Sequence, residues 1–365
     1  KASNLEIPII SEIEFASWFT KSNILAITGS NGKSTTVSML HEILIGSDYN
    51  SFLGGNIGTP FSKNVLFEIE NILFHKSIPV TNNNHVFITG LPRSGTTALL
   101  ELIYSSNEFG SLTYRDMPFV ISPNLFSKFS WKRKLDKKER MHSDGLFYDL
   151  DTPEAFEEVF FSTFSNDSNL SQKFQKYVQL VLIKAKKNKY LSKNNCNFKR
   201  IELLQNIFPK AKIVIPFREP LQQAYSMQRQ HINFKNKQDI DSFIIKYTNY
   251  LGHREFGNNH LPWFEPVLYK DPSNINYWLE QWYLYYKSIF NKKLSNNCFI
   301  ISHESLCENK KKQYAILEKL EISNKTNFNF MNNKRIIDEK FDLIIYNKCK
   351  ELYRALEEKF TNNNV

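Results

Sequence analysis

The sequence predicts an α/β fold, with a parallel sheet covered by helices on both faces and preceded by a small α/β fragment. Three observations predict it. From His85 onward, apolar runs of strand length alternate with amphipathic stretches of helix length, the order that places helices over both faces of a parallel sheet. Two glycine-rich loops, "TGSNGKSTT" (28–36) and "TGLPRSGTT" (89–97), each join a strand pattern to a helix pattern. The 365 residues are 41% hydrophobic and 14% aromatic, enough to bury a sizeable core.

Along the chain, Ile24–Thr28 reads as a strand and "KSTTVSMLHEIL" (33–44) as a helix, followed by a glycine turn with a proline stop in "FLGGNIGTPF" (52–61). Residues 1–70 form one compositional unit, 71–84 a polar linker, and 85–365 the main domain. Within it "HVFITG" (85–90) is a strand and Thr96–Tyr104 a helix. The basic run 127–140 reads as a solvated helix or insertion. "TPEAFEEVFFSTF" (152–164) opens with residues suited to a helix N-terminus. An amphipathic helix over 171–187 leads to a short strand, "KYLSKNN" (189–195), and then to the helix "FKRIELLQNIF" (198–208). "AKIVIPF" (211–217) is a buried strand, and 298–302 a last core strand. The aromatic stripe of 276–291 reads as core.

The net charge is +10, but the lysines are scattered, and a concentrated basic stripe with interleaved aromatics is approximated only by "SWKRKLDKKER" (130–140). No nucleic-acid partner is expected. No apolar stretch approaches the ~20 residues of a membrane span. The four cysteines form no CxxC pair and no zinc-type spacing, which predicts a reduced, cytoplasmic protein. No metal is expected.

The loop at 89–97 has the makings of an anion cradle. Gly90 and Gly95 let backbone approach closely, and the amides after Pro92 can converge as a nest. The helix opening at Thr96 adds its positive end. Ser94, Thr96 and Thr97 supply hydroxyls, and Arg93 a fixed cation. A nucleoside-triphosphate loop places a lysine beside a magnesium-binding Ser/Thr. Here Arg93 stands instead.

"PRSGTT" after a strand resembles the 5′-phosphosulfate loop of sulfotransferases that use 3′-phosphoadenosine-5′-phosphosulfate (PAPS). A second element of that family is a strand ending in Arg, then Pro, with a Ser eight residues past the Arg. "IVIPFREPLQQAYSMQRQH" has Arg218, Pro220 and Ser226 in those places. The resemblance covers about 85–325, is nearest to the bacterial and tyrosyl-protein-type branch, and implies a P-loop-type sheet. It implies that Pro92, Arg93, Ser94, Gly95, Thr96 and Thr97 bind the donor's 5′ end, with Arg218 and Ser226 on its 3′-phosphate. Arg93 and Lys193 would stabilise the charge that builds on the leaving oxygen.

For the base, the resemblance points to Asp116 in "LTYRDMPF". His142, with Asp144 beside it, is the other candidate. Asp116 could equally pair with Arg115 or shape a turn, and His142 could be an ordinary surface histidine. His231 is a weaker candidate. The family's glycine-rich C-terminal nucleotide loop is not visible, and no adenine contact is assigned to "NNKRIID" (332–338). The acceptor could be a small molecule, carbohydrate, lipid or peptide.

The first loop, with "GGNIGTP" downstream, resembles the central ATP-binding region of Mur ligases, in particular the enzyme adding D-glutamate to UDP-N-acetylmuramoyl-alanine. That resemblance stops near residue 67. A lone strand, loop and helix cannot close a ligase site, so 1–70 is expected to be a non-functional remnant. The alternative function is an ATP-dependent ligase or kinase.

Overall fold

A computed structural model describes residues 12–18, 20–28, 33–49, 51, 61–74, 84–117, 119–127, 137–139, 147–165, 167–265, 267–326, 328–332 and 334–361. Its centre is a five-stranded sheet. The strands are β1 (Val86–Ile88), β2 (Phe109–Gly110), β5 (Lys189–Lys193), β6 (Lys212–Phe217) and β7 (Cys298–Ser302). Their order is β2-β5-β1-β6-β7, and every pairing is parallel. A two-stranded antiparallel ribbon, β3 (Lys138–Glu139) and β4 (Phe147–Tyr148), lies outside it.

Side-chain alternation along the strands builds two cores. Val86 and Ile88 of β1 and Val214 of β6 pack on one face with Leu99, Leu100 and Ile103 of helix α4 (Thr96–Tyr104) and Ile316 and Leu317 of α13 (Lys310–Lys319). Phe87, Ile213, Ile215 and Phe217 point to the other face. There they meet α7 (Leu170–Ala185), α8 (Ile201–Ile207) and the aromatic helix α11 (Ile275–Asn291). The central strands are apolar on both sides, and so their sequences run without polar breaks.

Two elements differ from the sequence expectation. Residues 24–28 form no strand, and Ile24 and Leu25 are exposed. A strand needs a neighbour to take its backbone hydrogen bonds, and none of the described residues pairs with this one. Helix α6 begins at Glu158 rather than near Thr152. The preceding residues run extended because they pair with a distant stretch: Thr113 bridges Pro153, Tyr114 N donates to Thr152 O at 3.2 Å, and Glu154 N to Leu112 O at 3.1 Å. Of the basic run, 128–136 lies outside the described residues and Lys138–Glu139 is strand.

The N-terminal helices behave differently from one another. α2 (Lys33–Gly46) has no buried residue, and Met39, Ile43 and Ile45 are exposed on it. α3 (Phe61–Phe74) instead runs through residue 70 into the main core. Its Phe67 is fully buried against Phe160 and Phe164, at ring separations of 6.1 and 5.1 Å. Its buried Glu70 accepts from Asn124 N and Nδ2, both at 2.8 Å, and from Leu125 N at 3.1 Å, capping α5 (Pro123–Ser127). Burial of Phe67 alone is worth about 2–3 kcal/mol.

Candidate active site at the β1–α4 loop

The loop leaves β1 at Thr89, whose N–H donates to Val214 O at 3.0 Å. It closes on itself when Ser94 Oγ donates to Leu91 O at 2.8 Å. Two of its residues have left-handed backbone, Arg93 at φ +68° and Gly95 at φ +96°. For Arg93 that conformation costs roughly 1–2 kcal/mol. Gly95 is required twice over. Besides its φ, a Cβ there would lie 2.5 Å from Nδ1 of His303, the first residue of α12 (His303–Glu308).

The loop is tied to two helices behind it. Gln223 of α9 (Pro220–Ile240) donates through Nε2 to Pro92 O at 3.0 Å. Its Oε1 accepts from Trp282 Nε1 of α11 at 3.0 Å. The same indole nitrogen reaches Arg218 O at 3.2 Å, and Tyr286 OH donates to Pro216 O at 2.9 Å. The aromatic stripe, read from sequence as core, therefore also anchors the end of β6.

The two expected binding elements meet here. Arg93 Nε donates to Ser226 Oγ at 3.0 Å, joining the loop to α9. Arg218 Nη1 lies 3.5 Å from Arg93 O. Burial works against the charged form of Arg218, the neighbouring Glu304 opposes that effect, and Arg93 adds to it. Glu219 takes on structural work: it caps α9 by accepting from Gln222 N at 2.7 Å and accepts from Tyr346 OH at 3.3 Å. Glu304 accepts from Glu219 N at 3.0 Å and from Tyr353 OH at 3.1 Å, holding the turn after Arg218.

Sequence reasoning missed a further cation. Arg335 N donates to Gln222 Oε1 and Gln222 Nε2 donates back to Arg335 O, both at 2.9 Å. The Arg335 guanidinium is shifted down, first by burial and then by Arg229 and Arg93 nearby. Arg93, Arg218, Arg229 and Arg335 thus share one electropositive locality. The "NNKRIID" stretch gave too little pattern to reveal this, because its position depends on pairing with α9.

Lys193 ends β5, opposite Ile88 in the β1 register, and is buried. Thr96 and Thr97 open α4, and Pro92 is buried. Asp116 is elsewhere engaged: Oδ2 accepts from Lys184 Nζ at 2.6 Å and from Thr113 N at 2.7 Å. Arg115 pairs with Asp151 at 2.6 and 2.8 Å rather than with Asp116. His142 and Asp144 lie outside the described residues. His231 packs on Trp278 and accepts from Gly257 N at 3.3 Å, and burial lowers its pKa below the ordinary imidazole value. The Mur-like loop residues 29–32 are also outside the described residues.

The profile described as Sulfotransferase family matches residues 85–324. The chain belongs to the sulfotransferase family. Solved sulfotransferases similar to it include STF9 from Mycobacterium avium, at 13% identity and TM-score 0.41 over 80% of this chain and 74% of that one. STF1 from Mycobacterium tuberculosis has 12% identity and TM-score 0.41 over 83% of each chain. The curated relatives match a different part. UDP-N-acetylmuramoylalanine–D-glutamate ligases from Chlorobium limicola and Syntrophus aciditrophicus are 53% and 56% identical over 64 and 54 residues. Those matches take in 16% and 15% of this chain, and the chain spans only 14% and 12% of the ligases' length. Among the described residues of this sulfotransferase, no helix is long and apolar enough to cross a membrane.

Proposed function

We propose that the chain transfers a sulfuryl group from PAPS to a hydroxyl or amine of an acceptor. The observation that carries this reading is the 3.0 Å Arg93–Ser226 contact, with Arg218 against the Arg93 backbone. That contact supports reading the loop and the strand–helix element as one anion site for a nucleotide with phosphates at both ends. Pro92, Arg93, Ser94, Gly95, Thr96 and Thr97 hold the 5′ end, and Arg218 and Ser226 the 3′-phosphate.

In the reaction the acceptor oxygen or nitrogen attacks sulfur in line. The bond from sulfur to the bridging oxygen breaks, and its electron pair stays on the departing phosphate. Charge therefore builds on that oxygen, and preorganised cations lower the barrier most. Arg93 and Lys193 take this role. Of the two candidate bases, Asp116 is committed to Lys184 and Thr113. Proton removal falls to one of these two, Asp116 or His142.

The activity is assigned to residues 85–365, with 1–70 a remnant lacking ligase function. All four cysteines are unpaired, which fits a cytoplasmic setting. Thermal unfolding with adenosine 3′,5′-bisphosphate and with magnesium–ATP tests the reading. Stabilisation by the bisphosphate alone supports it. Stabilisation by magnesium–ATP alone overturns it in favour of an ATP-dependent ligase or kinase.

A further inference from the structure

We propose that Glu154 is a positioning residue that holds the Lys193 ammonium beside the phosphate loop. This rests on the sulfuryl-transfer reading for its role in catalysis. Lys193 Nζ lies 3.7 Å from Glu154 Oε1, with the two side chains only 9% and 7% exposed. A buried ammonium requires a counter-charge, and removing one partner of such a pair leaves a costly lone charge. Lys193 sits opposite Ile88, the last residue of β1, where the loop begins.

Glu154 is itself fixed from several directions. Oε1 accepts from Ala155 N at 2.8 Å, and Oε2 from Tyr114 OH at 2.8 Å. The backbone is pinned by the Thr113–Pro153 bridge and by the bond from Glu154 N to Leu112 O. The carboxylate is therefore rigid, while its distance to Nζ exceeds that of a direct hydrogen bond. Such a pair is held by Coulomb attraction rather than by a directed bond. The lysine is given a defined place beside a fixed counter-charge. In the transfer step Lys193 donates to the bridging oxygen as the sulfur–oxygen bond breaks. Glu154 touches none of the reacting atoms.

Two measurements on the full chain test this. In an ammonium-selective proton–nitrogen correlation spectrum, a protected Lys193 signal is identified by its loss in Lys193→Met. Glu154→Gln should abolish or shift that signal while circular dichroism stays that of the parent. An unchanged signal overturns the proposal, whatever the donor is. In transfer from sulfur-labelled PAPS to acceptors of a cell extract, Glu154→Gln should lower the maximal rate about 10–100-fold and leave the donor KM within about threefold. Glu154→Asp should restore part of the rate, and Glu154→Gln with Lys193→Met should be no slower than Lys193→Met alone. Multiplying losses in the double variant, or a change confined to KM, overturns it. A parent protein that neither transfers label nor binds adenosine 3′,5′-bisphosphate sinks the sulfuryl-transfer reading instead, and the spectrum still decides the Glu154–Lys193 link.

Discussion

Gln223 and Trp282, 59 positions apart, are joined by a 3.0 Å hydrogen bond, and through it the phosphate loop hangs from the aromatic helix. The other end of the Gln223 amide holds Pro92 O. Replacing Gln223 by Ala takes the donor from the buried Pro92 O, while Trp282 Nε1 keeps Arg218 O, at a cost of about 1–3 kcal/mol. Urea unfolding should show that loss. Trp282→Phe removes the N–H shared by Gln223 Oε1 and Arg218 O and also leaves a cavity where the larger indole was buried, so its cost should be the larger of the two.

Arg93, Arg218 and Ser226 should each matter for nucleotide affinity. Arg93→Ala and Arg218→Ala each remove a charged donor, worth about 1.5–3 kcal/mol, or roughly 10–100-fold in Kd for adenosine 3′,5′-bisphosphate. Ser226→Ala removes a neutral donor and should weaken binding by less. Calorimetry measures all three. Equal affinity in Arg218→Ala and the parent would remove the 3′-phosphate assignment.

Gly95→Ala should fail for two separable reasons, the positive φ and the approach of His303. We expect at least about 1–2 kcal/mol of destabilisation from the backbone term alone. Adding His303→Ala should relieve the contact but not that term. Recovery of the full parent melting temperature in the double variant would contradict this account.

Acid stability should report on His85. Burial lowers its imidazole to about 4, against an ordinary value of 6.5. The unfolded chain then binds the proton more readily than the folded one below 6.5. Stability from this group is complete above about 6.5 and drains away as the pH falls toward 4. The loss is on the order of 2–3 kcal/mol. Urea midpoints between pH 7.5 and 4.5 measure it, and His85→Gln, which cannot take up the proton, should flatten that part of the profile.

Shortening the chain should separate α2 from α3. Removing residues 1–60 discards α2, which has no buried residue, and keeps α3, so the melting temperature should move far less than on removing 1–84. Removing 1–84 also uncovers the neighbours of Phe67 and leaves the α5 amides without Glu70. A loss of several kcal/mol is expected, and an equally stable shorter chain would show α3 to be dispensable.

The parts of this architecture that could be read from sequence are those fixed by local chemistry. "AKIVIPF" announces a central strand because both of its faces are covered. "PRSGTT" announces a loop because small residues and a left-handed turn fall between strand and helix. What could not be read depends on distant partners. Thr152–Phe156 carries the marks of a helix start, yet it is drawn out by residues 112–115. That displacement delivers Glu154 to Lys193. Ile24–Thr28 has strand composition and, among the described residues, no strand beside it. Gln223 and Arg335 gain their meaning only from the packing of α9. The pairing of Asp116 with Lys184, 68 positions later, likewise has no local signal.

The guanidinium groups of Arg93, Arg218, Arg229 and Arg335 repel one another, and the fold bears that strain at its own expense. If the proposed donor binds here, a doubly phosphorylated guest would relieve it, and occupancy would add to stability as RT ln(1 + [L]/Kd). Proteases that sample opened chains would then clear this protein faster when sulfur donor runs short. Abundance of the catalyst would follow the supply of what it consumes, with no dedicated regulator.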